Sequence, residues 1–287
     1  MKTVVRPGEP QVLVKYRLAQ PESSWDEMKD DPYHGGQTAY REVKVTLVRG
    51  NRCLCAYCES RIAAGTSDEE IAASRRDQRV EHFHPKSDLK RPPNWAMHWQ
   101  NMWAVCHGGS DWPPKGEPLD PAKQLPPLED NLTCDAFKDQ QISKGLLQNS
   151  PEGWILSPDQ IPPFPNLFQF APDGTPEPHM QNCAVAIIPG NNHPDTYSIV
   201  AETVRQLNLG CTRLNRNRRI VRSRLEKQIA RERKRHAGQP AANVLLQLAR
   251  HLFSNNSANP WPEYFTLVRW RLGKPVELRL QEIGYQG

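Results

Sequence analysis

Cysteine spacing constrains the fold of this chain more than any other feature of its sequence. Cys55 and Cys58 form a Cys-x-x-Cys pair, and Cys106 follows at the end of a predicted strand. Two thiolates at that spacing can converge on one tetrahedral zinc ion, and two further ligands must then come from elsewhere in the chain. Cys106 is the predicted third ligand. The sequence therefore predicts a zinc knuckle that acts as the scaffold of the fold around it.

The fourth zinc ligand has two candidates, Cys134 and His107. We favour Cys134, because adjacent residues such as Cys106 and His107 rarely bind one zinc ion without strain. The chain has seven cysteines in all. An odd number of cysteines in a chain without a secretory signal argues against a disulfide framework and for metal binding.

The N-terminal residues indicate a cytoplasmic protein. Residues 1–8 contain no apolar segment of the kind that a signal peptide requires. The sequence has no run of about 18 apolar residues, so no membrane-spanning helix is predicted. The net charge is +5, which alone says little about a partner.

Composition and hydrophobic periodicity divide the 287 residues into four predicted segments. Gln11 to Tyr16 alternates weakly, which predicts a short strand. From Val200 to Leu225, apolar residues recur every three or four positions, which predicts helix. The predicted fold is mainly α with one small β-hairpin. The segments are an N-terminal segment that could dock a partner (1–49), a core with the zinc knuckle (50–150), a connecting segment rich in proline and glycine (151–196) and a basic helical region (197–287).

An acidic residue directly precedes a histidine in the stretch 80–87, Val-Glu-His-Phe-His-Pro-Lys-Ser. Hydrolysis of a phosphodiester bond requires an activated water molecule and a cation that neutralises the developing charge. Glu81 offers a carboxylate to a hard divalent ion such as Mg²⁺, and Asp135 offers a second. On a strand, His82 points away from Glu81, and an imidazole with an ordinary pKa of about 6.5 could take a proton from water there.

Asn101 and Lys138 complete the predicted catalytic set. The side-chain amide of Asn101 could hold the imidazole of His82 in the required tautomer, and Lys138, one turn after Asp135, could contact a phosphate. Taken singly, each of these residues is more often structural; Asp135 after Cys134, for example, could be a helix N-cap. Their order and their clustering around the cysteines favour a catalytic role over a structural one.

A basic stretch in the last third predicts contact with a polyanion. Twelve lysines and arginines lie between Arg205 and Arg235, against two glutamates. This concentration favours contact with a nucleic-acid backbone or docking of a partner, although a solvated helix face is the more common outcome for a basic run. The residues predicted to contact nucleic acid are Arg213, Arg216, Arg219 and Arg222.

The order of these residues resembles that of the HNH, or ββα-metal, endonucleases. Within that family, Cys-Ala-Tyr-Cys-Glu at 55–59 and Cys-His-Gly-Gly at 106–109 are similar to the nuclease subunit of Septu-type anti-phage systems and to relatives in some retrons. The resemblance covers roughly residues 50–225. The motifs that carry it are Cys55-x-x-Cys58, Glu81-His82-x-x-Pro85-x-Ser87, Asn101-x4-Cys106 and Cys134-Asp135-x-x-Lys138.

The resemblance implies a role for each motif residue. Glu81 and Asp135 would bind the catalytic ion, and the four cysteines would hold a structural zinc ion. His82 would be the general base, and Asn101 would orient it. Glu81 stands where most members have aspartate, and Asp135 where they have asparagine or histidine. The added negative charge should favour Mg²⁺ or Mn²⁺ over softer ions.

The sequence thus predicts a metal-dependent HNH endonuclease that hydrolyses phosphodiester bonds in DNA. The resemblance further implies that it is the effector of an anti-phage defence complex and works with an ABC-type ATPase subunit. Two alternatives stay open. One is a nuclease that acts on RNA such as tRNA, and the other is a non-catalytic, zinc-stabilised module that binds nucleic acid or acts as an adaptor.

Overall fold

The computed structural model describes residues 1–74, 78–88, 94–109, 131–256 and 259–287. Helices predominate in these residues, and the strands form two small antiparallel hairpins. The prediction of a mainly helical fold is confirmed, and a second hairpin joins the predicted one. The helices are α1 (Gln11–Ala19), α2 (Trp25–Asp30), α3 (Gly36–Gly50), α4 (Asp68–Ala73), α5 (Cys134–Ser143), α6 (Met180–Val185), α7 (Thr196–Gln206), α8 (Thr212–Arg235), α9 (Ala241–Leu252), α10 (Phe265–Leu272) and α11 (Lys274–Glu282).

Helix α1 lies where the sequence predicted a strand, so that prediction is wrong. Leu13 and Tyr16 are buried, and their spacing of three residues places them on one face of a helix that packs against α3. Helix α2 begins after Ser24. The Ser24 hydroxyl accepts a 3.2 Å hydrogen bond from the amide of Glu27, whose carboxylate accepts one from the Ser24 amide.

The first hairpin and helix α5 form a strand–strand–helix unit near the zinc knuckle. Strands β1 (Arg79–His82) and β2 (Met102–Val105) pair antiparallel, with Glu81 opposite Trp103 and His82 opposite Met102. The knuckle is joined to β2 by the amide of Ala56, which donates to the carbonyl of Ala104 at 3.0 Å. The segment between β2 and α5 includes residues 110–130, which lie outside the described residues.

A single apolar cluster draws residues from all four predicted segments, among them Leu13, Trp103, Phe168 and Val200. The second hairpin, β3 (Phe168–Phe170) and β4 (Pro176–Pro178), contributes to it. A further cluster lies among helices α8 to α11. The N-terminal helices therefore pack on the same core as the first hairpin. Among the described helices, none combines the length and the hydropathy needed to cross a membrane.

Arg218 interrupts the apolar stripe of α8 and is nevertheless buried, with 4% of its surface exposed. Its Nη1 donates to the carbonyl of Leu209 at 2.6 Å and to Oδ1 of Asn215 at 3.1 Å. The guanidinium also lies over the rings of Phe170 and Tyr264. Because its donors have partners, this buried charge joins α8 to the loop that precedes it.

We expect Arg218→Gln to lower the free energy of unfolding by about 2–4 kcal/mol, because it leaves buried acceptors without their charged donor. The matched control is Arg219→Gln, which removes the same charge from an exposed neighbour and should change stability by less than about 0.5 kcal/mol. Urea unfolding followed by tryptophan fluorescence measures both. Equal losses for the two variants would contradict the structural role of Arg218.

Candidate zinc cluster and catalytic cleft

The structure brings Cys55, Cys58, Cys106 and Cys134 together. Their Sγ atoms all lie within 4.8 Å of one another, with separations of 3.9 Å for Cys55–Cys134, 3.7 Å for Cys58–Cys106 and 3.9 Å for Cys106–Cys134. A tetrahedral zinc ion with bonds of about 2.3 Å separates its sulfur ligands by roughly 3.8 Å. The cluster could therefore hold zinc, and Cys134, not His107, is its fourth member.

Backbone contacts from three parts of the chain position these thiols. The Cys55 amide donates to the carbonyl of Ser60 at 2.9 Å, which closes the knuckle. Cys106 directly follows β2. Cys134 begins α5 with a positive φ of 56°, and its amide donates to the carbonyl of Leu207 at 2.9 Å. The cluster thus fixes the start of α5 against the hairpin and against the turn after α7.

Four clustered thiols, three of them buried, require a cation to ionise together. Hydrogen bonds from Cys106 and the other thiols lower the pKa of Cys58 well below its ordinary value. Burial raises the pKa of Cys55 and Cys134 well above theirs. A bound zinc ion supplies the positive charge that lets all four bind as thiolates.

Arg213 lies beside this cluster and not on an open basic face. Although burial opposes it, the thiols of Cys58 and Cys106 raise the pKa of Arg213. Its Nε and Nη2 are buried and have no hydrogen-bond partner within the described part of the chain. A Cβ at Gly109, where φ is +80°, would come within 3.2 Å of Nη2. The structure therefore places Arg213 where it can offset the charge of the thiolates, which differs from the predicted nucleic-acid contact.

We expect Arg213→Ala to lower zinc affinity roughly 10- to 100-fold, the usual cost of losing a residue that supports metal ligands. The matched control is Arg216→Ala, which removes an exposed arginine from the same helix. Zinc transfer to a chromogenic chelator measures the difference. Identical transfer rates for the two variants would show that Arg213 does not act on the cluster.

Three carboxylates form a second group with the geometry of a metal site. Glu81 on β1, Asp135 in the first turn of α5 and Asp139 one turn later bring oxygen atoms within 4.8 Å of one another. Hard divalent ions bind such oxygen ligands. The structure thus brings together the two carboxylates that the sequence singled out. Asp139 was missed, although its spacing of four residues from Asp135 on one helix was a usable signal.

Burial and mutual repulsion shift the protonation of this carboxylate group. Burial, and then the nearby Asp135, raises the pKa of Glu81 well above its ordinary value, while Lys138 opposes the shift. Although burial opposes it, the hydrogen bond with Glu81 and the charge of Arg79 lower the pKa of Asp135. Ionisation of Glu81 is therefore opposed by its surroundings, and a bound divalent ion would favour the ionised form of both carboxylates.

Lys138 has a different place from the predicted one. Its ammonium is fully buried and lies 2.5 Å from Oε1 of Glu81. It also donates to the carbonyls of His82 and Phe83 at 2.8 and 3.0 Å. Tyr57 donates a further bond of 3.1 Å to Glu81. Lys138 therefore orients the Glu81 carboxylate and the end of β1, and it is not among the residues that line the cleft.

His82 is held in one tautomer by the backbone. Its Nε2 lies 3.1 Å from the carbonyl of Ala96. Because a carbonyl can only accept, Nε2 carries the proton and Nδ1 keeps the lone pair. Burial lowers the pKa of His82 to about 4, so the ring is neutral near pH 7. The indole of Trp25 meets the ring edge-on, with centroids 4.8 Å apart. The geometry leaves Nδ1 as the basic atom.

Asn101 does not contact His82, which corrects the predicted direct orientation. Its Oδ1 accepts from the amide of His84 at 2.7 Å, and its Nδ2 donates to the carbonyls of His84 and Trp95 at 2.9 and 3.0 Å. The carbonyl that binds His82 belongs to Ala96, the next residue after Trp95. Asn101 therefore acts on His82 only indirectly. It fixes the loop whose Ala96 carbonyl accepts the hydrogen bond from His82.

These groups meet in a cleft of about 590 Å³ between β1, α5 and the N-terminal helices α2 and α3. Within the described residues, none of the four predicted arginines lines it. Arg216 and Arg219 are exposed on α8, and Arg222 lies over the ring of Trp270. The cations that do line the cleft are Lys29, Arg79 and Lys86. No spacing in the sequence links α2 to β1, so the sequence could not have shown this set.

Comparison with known proteins points to the same class of protein. A curated protein of Escherichia coli, described as "Retron Ec83 putative HNH endonuclease", is 32% identical to this chain over 222 residues. The match covers 76% of this chain and 78% of the relative. No protein-family model matches the chain, and no solved structure does.

Similarity of this extent shows the family, because it spans most of both chains. The class that emerges is a hydrolase that acts on nucleic acid. The chain belongs to the HNH endonuclease family, and the prediction that it is such an enzyme is confirmed.

Proposed function

We propose that this endonuclease cleaves DNA, with His82 as its general base and a divalent ion held by Glu81, Asp135 and Asp139. The observation that carries the proposal is the tautomer of His82. Its proton is committed to the carbonyl of Ala96, which leaves Nδ1 as the basic atom of a ring that lines the same cleft as the three carboxylates. A base and an oxygen-ligand metal site in one cleft are the two requirements of metal-assisted phosphodiester hydrolysis.

The chain's own residues then perform defined parts of the reaction. Nδ1 of His82 accepts a proton from the attacking water, while Nε2 stays bonded to Ala96 and keeps the ring in position. Lys138 and Tyr57 hold the Glu81 carboxylate in one orientation. The bound ion, Mg²⁺ or Mn²⁺, would supply the positive charge that stabilises the phosphorane-like transition state and the leaving oxygen.

The zinc ion has a structural role in this proposal. All four positions of a tetrahedral ion are filled by Cys55, Cys58, Cys106 and Cys134, so no position is left for water or substrate. Zinc would therefore hold the fold, and the carboxylate site would hold the catalytic ion.

We expect His82→Ala to abolish Mg²⁺- or Mn²⁺-dependent cleavage while zinc content and thermal unfolding stay close to those of the wild type. General-base catalysis contributes roughly 10²- to 10⁴-fold to a reaction rate. The cleavage rate of His82→Ala should therefore fall by that factor or become too low to detect. The control is His98→Ala, a histidine outside the cleft. Unchanged cleavage by His82→Ala would contradict the assignment of His82 as the base, whereas no cleavage by the wild-type protein on any probe would favour the non-catalytic module.

Asp139→Asn should raise the Mn²⁺ concentration needed for half-maximal cleavage by roughly tenfold or more, because it replaces a charged ligand by a neutral one. Asp135→Asn should do the same. The control is Asp30→Asn, an exposed aspartate at the end of α2. Metal titration of cleavage measures the shift, and an unchanged midpoint for Asp139→Asn would remove that residue from the site.

DNA as the substrate is the part of the proposal that rests most on resemblance. The relative in Escherichia coli is described as a putative HNH endonuclease of a retron. The resemblance to retron-associated nucleases keeps RNA, such as tRNA, as the alternative substrate. Matched DNA and RNA of one sequence, incubated with the wild-type protein and Mn²⁺, separate the two substrates.

We also propose a role in anti-phage defence and a complex with an ABC-type ATPase subunit. Both proposals rest on the similarity of residues 55–59 and 106–109 to the Septu-type nucleases. Co-purification of the tagged chain with an ATPase from its own cells tests the complex, and recovery of the chain without any ATPase would count against it.

A further inference from the structure

The N-terminal helices form a wall of the catalytic cleft. Trp25, Asp26 and Lys29 of α2 and Tyr40 of α3 line the same cavity as Glu81 and His82 on β1. Residues 1–49 were predicted as a segment that could dock a partner. Their position beside the base gives at least α2 and α3 a share in the site of hydrolysis.

This wall is fixed to the catalytic strand by direct contacts. Trp25 is buried and stands between His82 and Tyr40, with ring centroids 4.8 and 5.4 Å away. At the rim, Nζ of Lys86 pairs with Oδ2 of Asp26 at 3.0 Å. These contacts join helix α2 to β1 and to the turn that follows it.

The charges of the lining residues decide when the cleft attracts phosphate. The cavity is lined by three cations, Lys29, Arg79 and Lys86, and by four acids, Asp26, Glu81, Asp135 and Asp139. With every carboxylate ionised, as metal binding requires, the set carries a net charge of −1. One divalent ion changes that to +1. The cleft thus favours a polyanion once the metal is bound.

The three cations are not equivalent. Nη1 of Arg79 lies 3.2 Å from Oδ2 of Asp135, so Arg79 is committed to the carboxylate group. Lys29 is exposed, and Lys86 has 42% of its side chain exposed. Both lysines line the cleft with exposed side chains, so a flanking phosphate can replace water or an exposed aspartate as their partner.

We infer that Lys29 and Lys86 hold phosphates of the nucleic-acid backbone that flank the scissile bond, which makes α2 part of the substrate site. The inference rests on the proposed catalytic cleft and names its binding contacts. Asp26 competes with the substrate for Lys86, because its carboxylate is 69% exposed and faces the same cleft. The basic face of α8 lies outside this cleft.

Salt-dependent binding tests the inference in a His82→Ala background with Mn²⁺, so that metal is bound and the probe stays intact. The probes are labelled duplex DNA, single-stranded DNA and RNA of one sequence, followed by fluorescence anisotropy. Each lost phosphate contact should reduce the slope of log K against log salt by about 0.9 for a duplex and about 0.7 for a single strand. Lys29→Gln and Lys86→Gln should each show that reduction.

Two further variants make the test specific. Asp26→Asn should tighten binding, because it removes a like charge and releases Lys86; a structural role for the ion pair predicts weaker binding instead. Lys15→Gln removes the same charge from an exposed position on α1 outside the cleft and should leave the slope unchanged. Thermal unfolding of each variant confirms that α2 is intact.

The inference is overturned if Lys29→Gln and Lys86→Gln keep the slope of Lys15→Gln. It is overturned equally if the reduction appears only in Arg216→Gln and Arg219→Gln, which would place the backbone on α8. Cleavage by the wild-type protein on the same probes tests the proposed function separately. If the wild-type protein cleaves but the lysine variants keep the salt slope of binding, only the proposed lysine contacts are contradicted. If the salt slopes fall but the wild-type protein does not cleave, only the proposed catalytic function is contradicted.

Discussion

The buried ammonium of Lys138 is the interaction on which the catalytic geometry depends. A lysine with no exposed surface is stable only when its charge and all three donors are satisfied, and here the partners are Glu81 and the carbonyls of His82 and Phe83. These contacts attach α5 to the end of β1. Although burial opposes it, the ionised Glu81 carboxylate raises the pKa of Lys138, which favours the charged ammonium in this contact.

The same attachment explains how one short strand serves two purposes. Glu81 is turned toward α5, where Asp135 and Asp139 complete a group of carboxylates. His82, the next residue, is turned toward α2 and the carbonyl of Ala96. Strand alternation separates the two side chains, and the strand end lets both line one cleft. The proposed metal ligand and the proposed base can thus be adjacent in sequence while their side chains point in different directions.

Local patterns predicted the elements, and long-range packing decided the contacts. Ser67 and Glu70 form a capping box at the start of α4, and the helical periodicity from Val200 continues to α8 with a break near Gly210. Cysteine spacing indicated the four thiols, because soft ligands are few. The predicted contacts of Asn101 and Lys138 differ from those in the structure. Asn101 binds backbone atoms, and Lys138 binds two carbonyls besides the Glu81 carboxylate, and no residue pattern shows backbone partners. Lys29 was missed because α2 approaches β1 only in the folded chain.

The two predicted metal sites are coupled through adjacent residues. Cys134 belongs to the thiol cluster, and Asp135 belongs to the carboxylate group, so the first turn of α5 is shared between them. Cys134 holds a positive φ of 56°, a conformation that a residue with a side chain adopts only when its surroundings enforce it. The thiol cluster and the hydrogen bond to Leu207 supply that constraint. A zinc ion bound at the four thiols would hold Cys134 in this conformation and would thereby fix the adjacent Asp135 relative to Glu81. The geometry of the carboxylate group would then depend on an ion that lies outside it.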